Sequence, residues 1–295
     1  MLNCNAAGYT SETPKANEAS TRLFECGMYG MLDYYRQHKE EVYLRQLEFF
    51  RRGIENEDAS ESIGRWYVDV DDKQIPTTDM RPLYEDNGKF FAEYWVIPVD
   101  TEQQRDVASA YDMAEFLVRN DVKVSKLTAD VTVNGVTYKA GSFVVDMHQA
   151  KRNYANCVLY NGVDASSSGF VSLYSDAVTS YPEQWGFDAI PVAVEGAFAG
   201  KLEAVSSVKS ASAFTGVTGK AVVVSNESID SVNAVNDLLA ANRAVGMVVS
   251  GAYKGDFVMG YNDFLTVRDK YSLSATGVES MPDARQLSQP TLYIQ

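Results

Sequence analysis

The sequence has few of the residues from which metal centres and disulfide frameworks are built. It contains only two histidines, His38 and His148, so a site of three histidines cannot be assembled from it. Its three cysteines, Cys4, Cys26 and Cys157, are widely separated and form neither a CxxC pair nor a disulfide framework, so we interpret them as free thiols. The sequence also lacks a run of about 18 apolar residues, which excludes a membrane-spanning helix.

Positive charge is scarce as well. The chain has 40 Asp and Glu residues against 26 Lys and Arg, which gives a net charge of −14. This balance argues against nucleic acid or an anionic membrane as a partner. A cationic partner and a merely acidic, solvated surface are both compatible with it. The first residues carry neither a basic segment nor an apolar core, so they do not match a signal peptide and the compartment stays open.

The glycine motifs of two large enzyme classes are missing. No GxGxxG follows a strand, and neither GxxxxGK[ST] nor GxSxG occurs. Nucleotide-dependent enzymes and serine hydrolases therefore find no support in the sequence.

The chain does contain two amphipathic helical patterns near its start. Asn17 followed by Glu18 predicts a capped helix with an acidic first turn. A second helix is predicted over residues 39–55. Each has an apolar stripe at helical spacing. The stripes are Phe24, Met28, Met31 and Tyr35 in the first helix, and Tyr43, Leu47, Phe50 and Ile54 in the second.

Two later stretches share the order strand, helix, strand and hairpin. In the first, the apolar run 94–99 predicts a buried strand. Thr101 with Gln104 matches a capping box, which predicts the start of the next helix. Asn134 and Gly135 stand between alternating β-formers and predict a type I′ hairpin.

A weaker version of this order begins with the strand 221–224 and indicates an internal repeat. The sequence therefore predicts an α/β fold. In it, an N-terminal helical segment is followed by two related βαββ-type units with mixed sheets, roughly over 94–147 and 221–260. A chance similarity between two ordinary α/β units is the alternative.

One carboxylate lies where a strand is predicted to pass into a helix, a common place for a reactive side chain. Residues 8–14 (GYTSETP) predict the end of a short strand, a turn, and Glu12 just before a proline. Glu12 is therefore the candidate catalytic residue. A solvated or capping carboxylate is the alternative interpretation.

A second candidate site surrounds His148. This residue follows the strand that ends at Asp146 and precedes Gln149 and Arg152. Such a position is at the edge of the sheet where α/β folds place binding sites. We predict that these four side chains bind a small polar ligand, with a hydrogen-bonded loop histidine as the alternative.

His38 and Glu41 match the His-x-x-Glu spacing of zinc peptidases. They lie on a charged face at the junction of the two predicted helices, among Arg36, Lys39 and Arg45. A metal ligand needs supporting hydrogen bonds and a pocket that excludes water. We therefore interpret His38 as a solvated helical histidine.

Several of these segments together resemble a known family. Residues 8–14, followed by Asn17 and Glu18 at a helix start, resemble the end of the catalytic domain of M14 zinc carboxypeptidases. Further segments resemble the region after the peptidase domain in large bacterial M14-like proteins, and the last resembles the first strand of a glutamine-amidotransferase-like domain. These segments are 46–48, 51–56, 138–145, 149–152 and 287–293.

The resemblance implies that Glu12 is the general base and acid acting on a zinc-bound water, although Ser11 replaces the apolar residue usual in the family. It also implies that the zinc ligands, a His-x-x-Glu pair and a later His, lie upstream of Glu12. We therefore expect no zinc ligands in this chain and zinc only in an intact, often exported parent. Without a metal to lower the pKa of a water, Glu12 has nothing to activate.

Two functional hypotheses follow. The first is a fragment of an M14-like zinc metallocarboxypeptidase, inactive alone, whose parent hydrolyses C-terminal peptide bonds. The second is a non-catalytic accessory module that packs on a peptidase domain or binds peptide or cell-wall fragments. The predicted divisions are a peptidase remnant with the helical segment at 1–60, a connector at 61–90, α/β units at 91–195 and 196–285, and the start of a following domain at 286–295.

Overall fold

A computed structural model describes residues 15–59, 66–68, 74–76, 78, 82–162, 180–208 and 213–289. Glu12 and the motif around it lie outside these ranges, as do residues 290–295 of the predicted following domain. None of the helices in the described ranges is long and apolar enough to cross a bilayer.

The described ranges contain seven helices and fifteen strands. The helices are α1 (Glu18–Gln37), α2 (Lys39–Glu55), α3 (Val107–Arg119), α4 (Arg152–Leu159), α5 (Tyr181–Trp185), α6 (Ile229–Ala240) and α7 (Tyr261–Val267). The strands are β1 (Trp66–Val68), β2 (Gln74–Pro76), β3 (Tyr94–Ile97), β4 (Val124–Leu127), β5 (Val131–Val133), β6 (Val136–Tyr138), β7 (Phe143–Asp146), β8 (Ile190–Val192), β9 (Leu202–Val205), β10 (Ala213–Gly216), β11 (Ala221–Val224), β12 (Val245–Val248), β13 (Phe257–Gly260), β14 (Ser274–Val278) and β15 (Ala284–Gln286).

Helices α1 and α2 follow one another with only His38 between them, and we call the pair the helical arm. Asn17 caps α1 as predicted, because its side-chain oxygen accepts a hydrogen bond of 3.0 Å from the Ser20 N–H. No residue of α1 is buried, and in α2 only Gly53 is buried. The apolar stripes of the arm therefore remain largely in contact with solvent.

The first unit is built on a five-stranded sheet of order β8-β3-β7-β4-β9, in which every pair is antiparallel. One face, with Trp95 and Phe143, packs against α3 and α4. The other face, with Val96 and Val144, is covered by the β5–β6 hairpin and the loop carrying Phe198. Since both faces are covered, all of β3 is buried, as its continuous apolar run predicted.

The second unit has a six-stranded sheet of order β10-β14-β11-β13-β12-β15. Only the β10–β14 pair is parallel, which makes this sheet mixed. Its Val222, Val224, Phe257 and Met259 side chains form one core with residues of α6 and α7.

The two units repeat one topology. The strand order β8-β3-β7-β4-β9 of the first recurs as β14-β11-β13-β12-β15 in the second. Even the turns correspond: the N–H of Gly141 donates to the Leu127 carbonyl at 2.8 Å, and the N–H of Gly255 donates to the Val248 carbonyl at 2.9 Å. The fold is thus α/β, with an N-terminal helical segment and two related units. Beyond the predicted βαββ pattern, the first unit also contains α4, α5, β8 and β9, and the second also contains α7, β10, β14 and β15.

Strand pairing moves two of the predicted boundaries. Leu202 of β9 pairs with Leu127 of β4, so the first unit runs past residue 195 to at least Val205. Gln286 of β15 pairs with Gly246 of β12, so residue 286 belongs to the second unit. Both edge strands are short and follow turn-rich segments, and only their long-range pairing shows which sheet they join.

The capping-box prediction for α3 is wrong. The helix begins at Val107 and is capped by Asp106, whose Oδ1 accepts from the Ala108 N–H at 2.9 Å. Gln104 is buried instead, and its amide donates to the carbonyls of Pro98 at 2.9 Å and Asp188 at 3.0 Å. The loop carbonyls thus satisfy the side chain that was expected to cap the helix.

The β10–β14 contact requires glycine at position 277. A β-carbon there would lie 1.7 Å from the Val217 carbonyl oxygen. We expect Gly277→Ala to reduce the free energy of unfolding by about 1–3 kcal/mol or more in urea titrations, because the backbone must move to remove the clash. Gly260→Ala is the matched control, since the nearest atom to its β-carbon is 3.4 Å away on the flexible Asp263 side chain. Equal stability of the two variants would contradict this account.

Candidate functional site

Antiparallel pairing of β3 with β7 brings together residues far apart in the sequence. Tyr94 at the start of β3 lies opposite Asp146 at the end of β7. Glu93 precedes the first strand and His148 follows the second, so the two side chains meet at one end of the sheet. This is the predicted site around His148, with Glu93 as an additional member.

Glu93 is a buried carboxylate with four polar neighbours. The residue is 1% exposed. Its Oε1 accepts hydrogen bonds from Asn87 Nδ2 at 2.8 Å and from Lys89 Nζ at 3.0 Å. Its Oε2 accepts from Asn56 Nδ2 at 3.2 Å and lies 3.5 Å from His148 Nε2. A buried charge is stable only with such partners, so the cluster is organised around this carboxylate.

The partners also determine the protonation of Glu93. Burial raises the pKa of the carboxyl group, but hydrogen bonds from Asn87, Lys89 and Asn56 outweigh burial. The net pKa lies below the ordinary value for glutamate. Glu93 is therefore charged at neutral pH and forms an ion pair with Lys89.

His148 lies between two carboxylates at the solvent-facing side of the cluster. Its Nδ1 is 3.1 Å from Asp146 Oδ1, and the same oxygen accepts from the His148 backbone N–H at 2.8 Å. Its Nε2 points at Glu93. Because both ring nitrogens are directed at carboxylates, neither is oriented toward a hydroxyl or thiol nucleophile as acyl-transfer catalysis requires.

Gln149 binds backbone rather than presenting its amide to a ligand. Its side chain accepts from the Lys123 N–H at 2.8 Å and donates to the Asp146 carbonyl at 2.5 Å. Its own backbone N–H donates to the Gly53 carbonyl of α2 at 3.0 Å. Gln149 therefore joins β7, the segment before β4 and the end of the helical arm.

Arg152 is buried beneath the end of the arm. Its guanidinium carbon is 3.8 Å from the centre of the Phe91 ring, and Nη1 donates to the Glu57 carbonyl at 2.8 Å and to Asn56 Oδ1 at 3.3 Å. A desolvated guanidinium held in this way is stabilised by the aromatic face and by its acceptors. Arg152 is thus an anchor for residues 56–57.

Asn56 connects these parts because of its backbone conformation. It ends α2 in the left-handed region, with φ of 48° and ψ of 43°, which asparagine tolerates better than most residues. Its buried amide donates to the Ala92 carbonyl at 3.1 Å and to Glu93, while its oxygen accepts from Arg152. One residue therefore terminates the arm and fixes it to the first unit.

All four predicted ligand residues, Asp146, His148, Gln149 and Arg152, lie in one cluster, but two of them are buried by the arm. The sequence interpretation missed Glu93, Asn56, Asn87 and Lys89. The available signal was a lone acidic residue directly before the buried run that forms β3. Its meaning depended on knowing that β7 ends beside it.

The second unit has the same backbone at this place but not the same side chains. The Met147 N–H donates to the Glu93 carbonyl at 2.9 Å, and the Tyr261 N–H donates to the Lys220 carbonyl at 3.0 Å. Lys220 thus occupies the position of Glu93, and Gly260 that of Asp146. The polar cluster is therefore specific to the first unit, which is the unit that contacts the arm.

Within the described ranges, no group of three or more His, Cys, Asp or Glu side chains is placed to hold a metal ion. His38 and Glu41 approach each other, with 3.6 Å between Nδ1 and Oε2, beside an open cleft of about 640 Å³. However, Glu41 also pairs with Arg45 at 2.8 Å, and the His38 ring stacks on Tyr34. No zinc-dependent step is assigned to these side chains.

The comparisons with known proteins bring no relative: no family model, no curated protein and no solved structure matches this chain.

The Glu93 cluster predicts a pH-dependent loss of stability. The folded pKa of Glu93 is below the unfolded value near 4.5, so its charge stabilises the fold above that pH, and this contribution is lost as the pH falls. We expect Glu93→Gln to lower the free energy of unfolding by about 1–3 kcal/mol at neutral pH, measured in urea by tryptophan fluorescence. The difference from wild type should shrink toward zero in acid.

Glu203→Gln on the exposed edge strand β9 is the matched control and should change little at any pH. A Glu93→Gln deficit that is independent of pH would contradict the assigned role of the charge.

Contact between the arm and the first unit predicts opposite effects for two glycine substitutions. A β-carbon at Gly53 would lie 2.8 Å from the Gln149 carbonyl oxygen, whereas one at Gly30 would have no atom within 4 Å. Alanine favours a helix over glycine by up to about 1 kcal/mol. We therefore expect Gly30→Ala to preserve or increase stability in urea titrations. Gly53→Ala should reduce it by about 1–3 kcal/mol because of the clash. A stabilising Gly53→Ala would show that α2 does not contact Gln149.

Proposed function

We propose that this chain is the accessory region of an M14-like zinc carboxypeptidase and that its two α/β units are non-catalytic. The observation that carries the proposal is that the polar side chains at the predicted site bind other parts of the chain. Gln149 and Arg152 are buried and bind the end of the arm, and His148 is directed at two carboxylates. The chemistry of this cluster is suited to fixing one segment on another.

In this proposal the hydrolysis of C-terminal peptide bonds belongs to a peptidase domain. The resemblance of residues 8–14 assigns Glu12 to that domain as the residue that shuttles protons for a metal-activated water. The end of the arm follows that motif in the chain. It attaches to the first unit because Gly53 binds Gln149 and residues 56–57 bind Arg152. The α/β units would then support the peptidase domain and take no part in bond cleavage.

The test is the metal content and activity of the purified chain. We expect far less than one zinc per chain by mass spectrometry after incubation with zinc and dialysis, and no release of C-terminal residues from peptides. Glu12→Gln, with Glu25→Gln on α1 as the matched control, should leave both readouts unchanged. Stoichiometric zinc together with turnover that Glu12→Gln abolishes would overturn the proposal.

Peptide binding at the exposed part of the cluster is a second candidate. The side chains of Asp146 and His148 retain 46% and 35% exposure, so they can be reached from solvent. A peptide or cell-wall fragment bound there should protect the amides of residues 146–148 from hydrogen exchange. Asp146→Asn should weaken this protection, whereas Asp283→Asn in the second unit should not. Protection confined to other segments would exclude this candidate.

A further inference from the structure

The helical arm has an unusual concentration of exposed apolar side chains. Eleven of the nineteen large apolar residues that are exposed in the described ranges lie on its two helices, which indicates an interaction surface. They are Leu23, Phe24, Met28, Tyr29, Leu32, Tyr34, Tyr43, Leu44, Leu47, Phe49 and Ile54.

The apolar stripes of both helices share one spacing. Phe24, Met28, Met31 and Tyr35 recur at intervals of four, three and four residues, and so do Tyr43, Leu47, Phe50 and Ile54. This is the spacing of the a and d positions of a coiled coil, whose side chains insert between those of a facing helix. In a two-fold symmetric dimer the same patch lies on both chains, so a stripe on one arm can face a stripe on the other.

The area of this surface is sufficient for a stable contact. Five of the eleven, Phe24, Met28, Tyr43, Leu47 and Ile54, lie on the stripes. Half-exposed side chains of this size leave on the order of 100 Å² each in water, so the stripes expose on the order of 500 Å² of apolar surface. A standard specific interface buries about 800 Å² on each partner, of which up to about 65% is apolar. The arm can thus supply one side of such an interface without the α/β units.

The net charge of the arm indicates which partner can bind to it. Residues 18–55 carry six basic and seven acidic side chains, a net charge of −1, while the rest of the chain carries −13 of the total of −14. Arg22, Arg36, Arg45 and Arg51 are each paired within the arm, with Glu18, Asp33, Glu41 and Glu48 respectively. Two strongly acidic chains repel one another elsewhere, but not along this nearly neutral surface.

The same charge balance disfavours an anionic membrane as the occupant. Helices that lie on such membranes combine an apolar face with a polar face rich in Lys and Arg. The polar face of the arm instead alternates acidic and basic residues that neutralise one another.

We propose that the helical arm is a dimerisation surface on which the arm of a second copy of this chain packs through the two apolar stripes. This inference does not depend on the proposed function, because it uses only the arm's own geometry and charge. Bound in this way, the arms would join two copies while each arm's end stays anchored to its own first unit through Asn56 and Arg152.

The experiment is sedimentation velocity on the full chain from about 1 to about 100 µM, a range that detects dissociation constants into the tens of micromolar. We expect wild type to dimerise reversibly. Met28→Glu and Leu47→Glu should each weaken dimerisation at least about tenfold, because each places a charge in the contact. Both residues are exposed in the monomer, so circular dichroism should show an unchanged fold.

Met281→Glu is the matched control, since Met281 is 58% exposed and Met28 is 50% exposed, but Met281 lies in the second unit. A wild-type chain that stays monomeric at the highest concentration would overturn the proposal, including the case in which it binds neutral or anionic phospholipid vesicles instead. A dimer weakened equally by Met281→Glu, or unaffected by Met28→Glu and Leu47→Glu, would also overturn it.

Discussion

The buried carboxylate of Glu93 is the interaction on which the arrangement of the N-terminal half depends. A charge removed from water is costly, and here Asn56, Asn87, Lys89 and His148 surround it. These neighbours come from the end of the arm, the segment before β3 and the end of β7. Because these groups together compensate the buried charge, they hold their segments in one arrangement.

Comparison of the two related units indicates a structural role for this cluster. The two units share strand order, helix placement and the glycine turns at Gly141 and Gly255, so the scaffold does not depend on the cluster. At the equivalent place, the second unit has Lys220, whose amine lies 3.2 Å from Glu279 and is exposed. The second unit, which carries no arm, thus has no buried charge at the position equivalent to Glu93.

The helical arm is fixed to the first unit at one end and is exposed over the rest of its length. Its C-terminal end is fixed by Asn56 and by contact between Gly53 and Gln149, whereas α1 buries no residue. In a chain with net charge −14, a nearly neutral apolar segment is the surface on which association costs least in electrostatic repulsion. Attachment and recognition are therefore separated along the same two helices.

The sequence by itself determined the elements whose signals are local. The Asn17 cap predicted the start of α1, and helical periodicity predicted α2 nearly to the residue. The apolar run predicted β3, and Asn134-Gly135 predicted the hairpin of β5 and β6. The repeat was also visible, because equivalent strands kept their apolar pattern and Gly141 and Gly255 kept their turn.

Only the tertiary structure decided which sheets the short edge strands join, where α3 begins, and what the polar residues do. β9 and β15 have weak local patterns and are defined by partners 75–81 and 36–40 positions away in the chain, respectively. Likewise, Glu93, Asn56 and Arg152 are ordinary polar residues in the sequence. Antiparallel pairing and the end of the arm bring them together, and burial then turns them into an anchor, because a desolvated charge must find its partners within the fold.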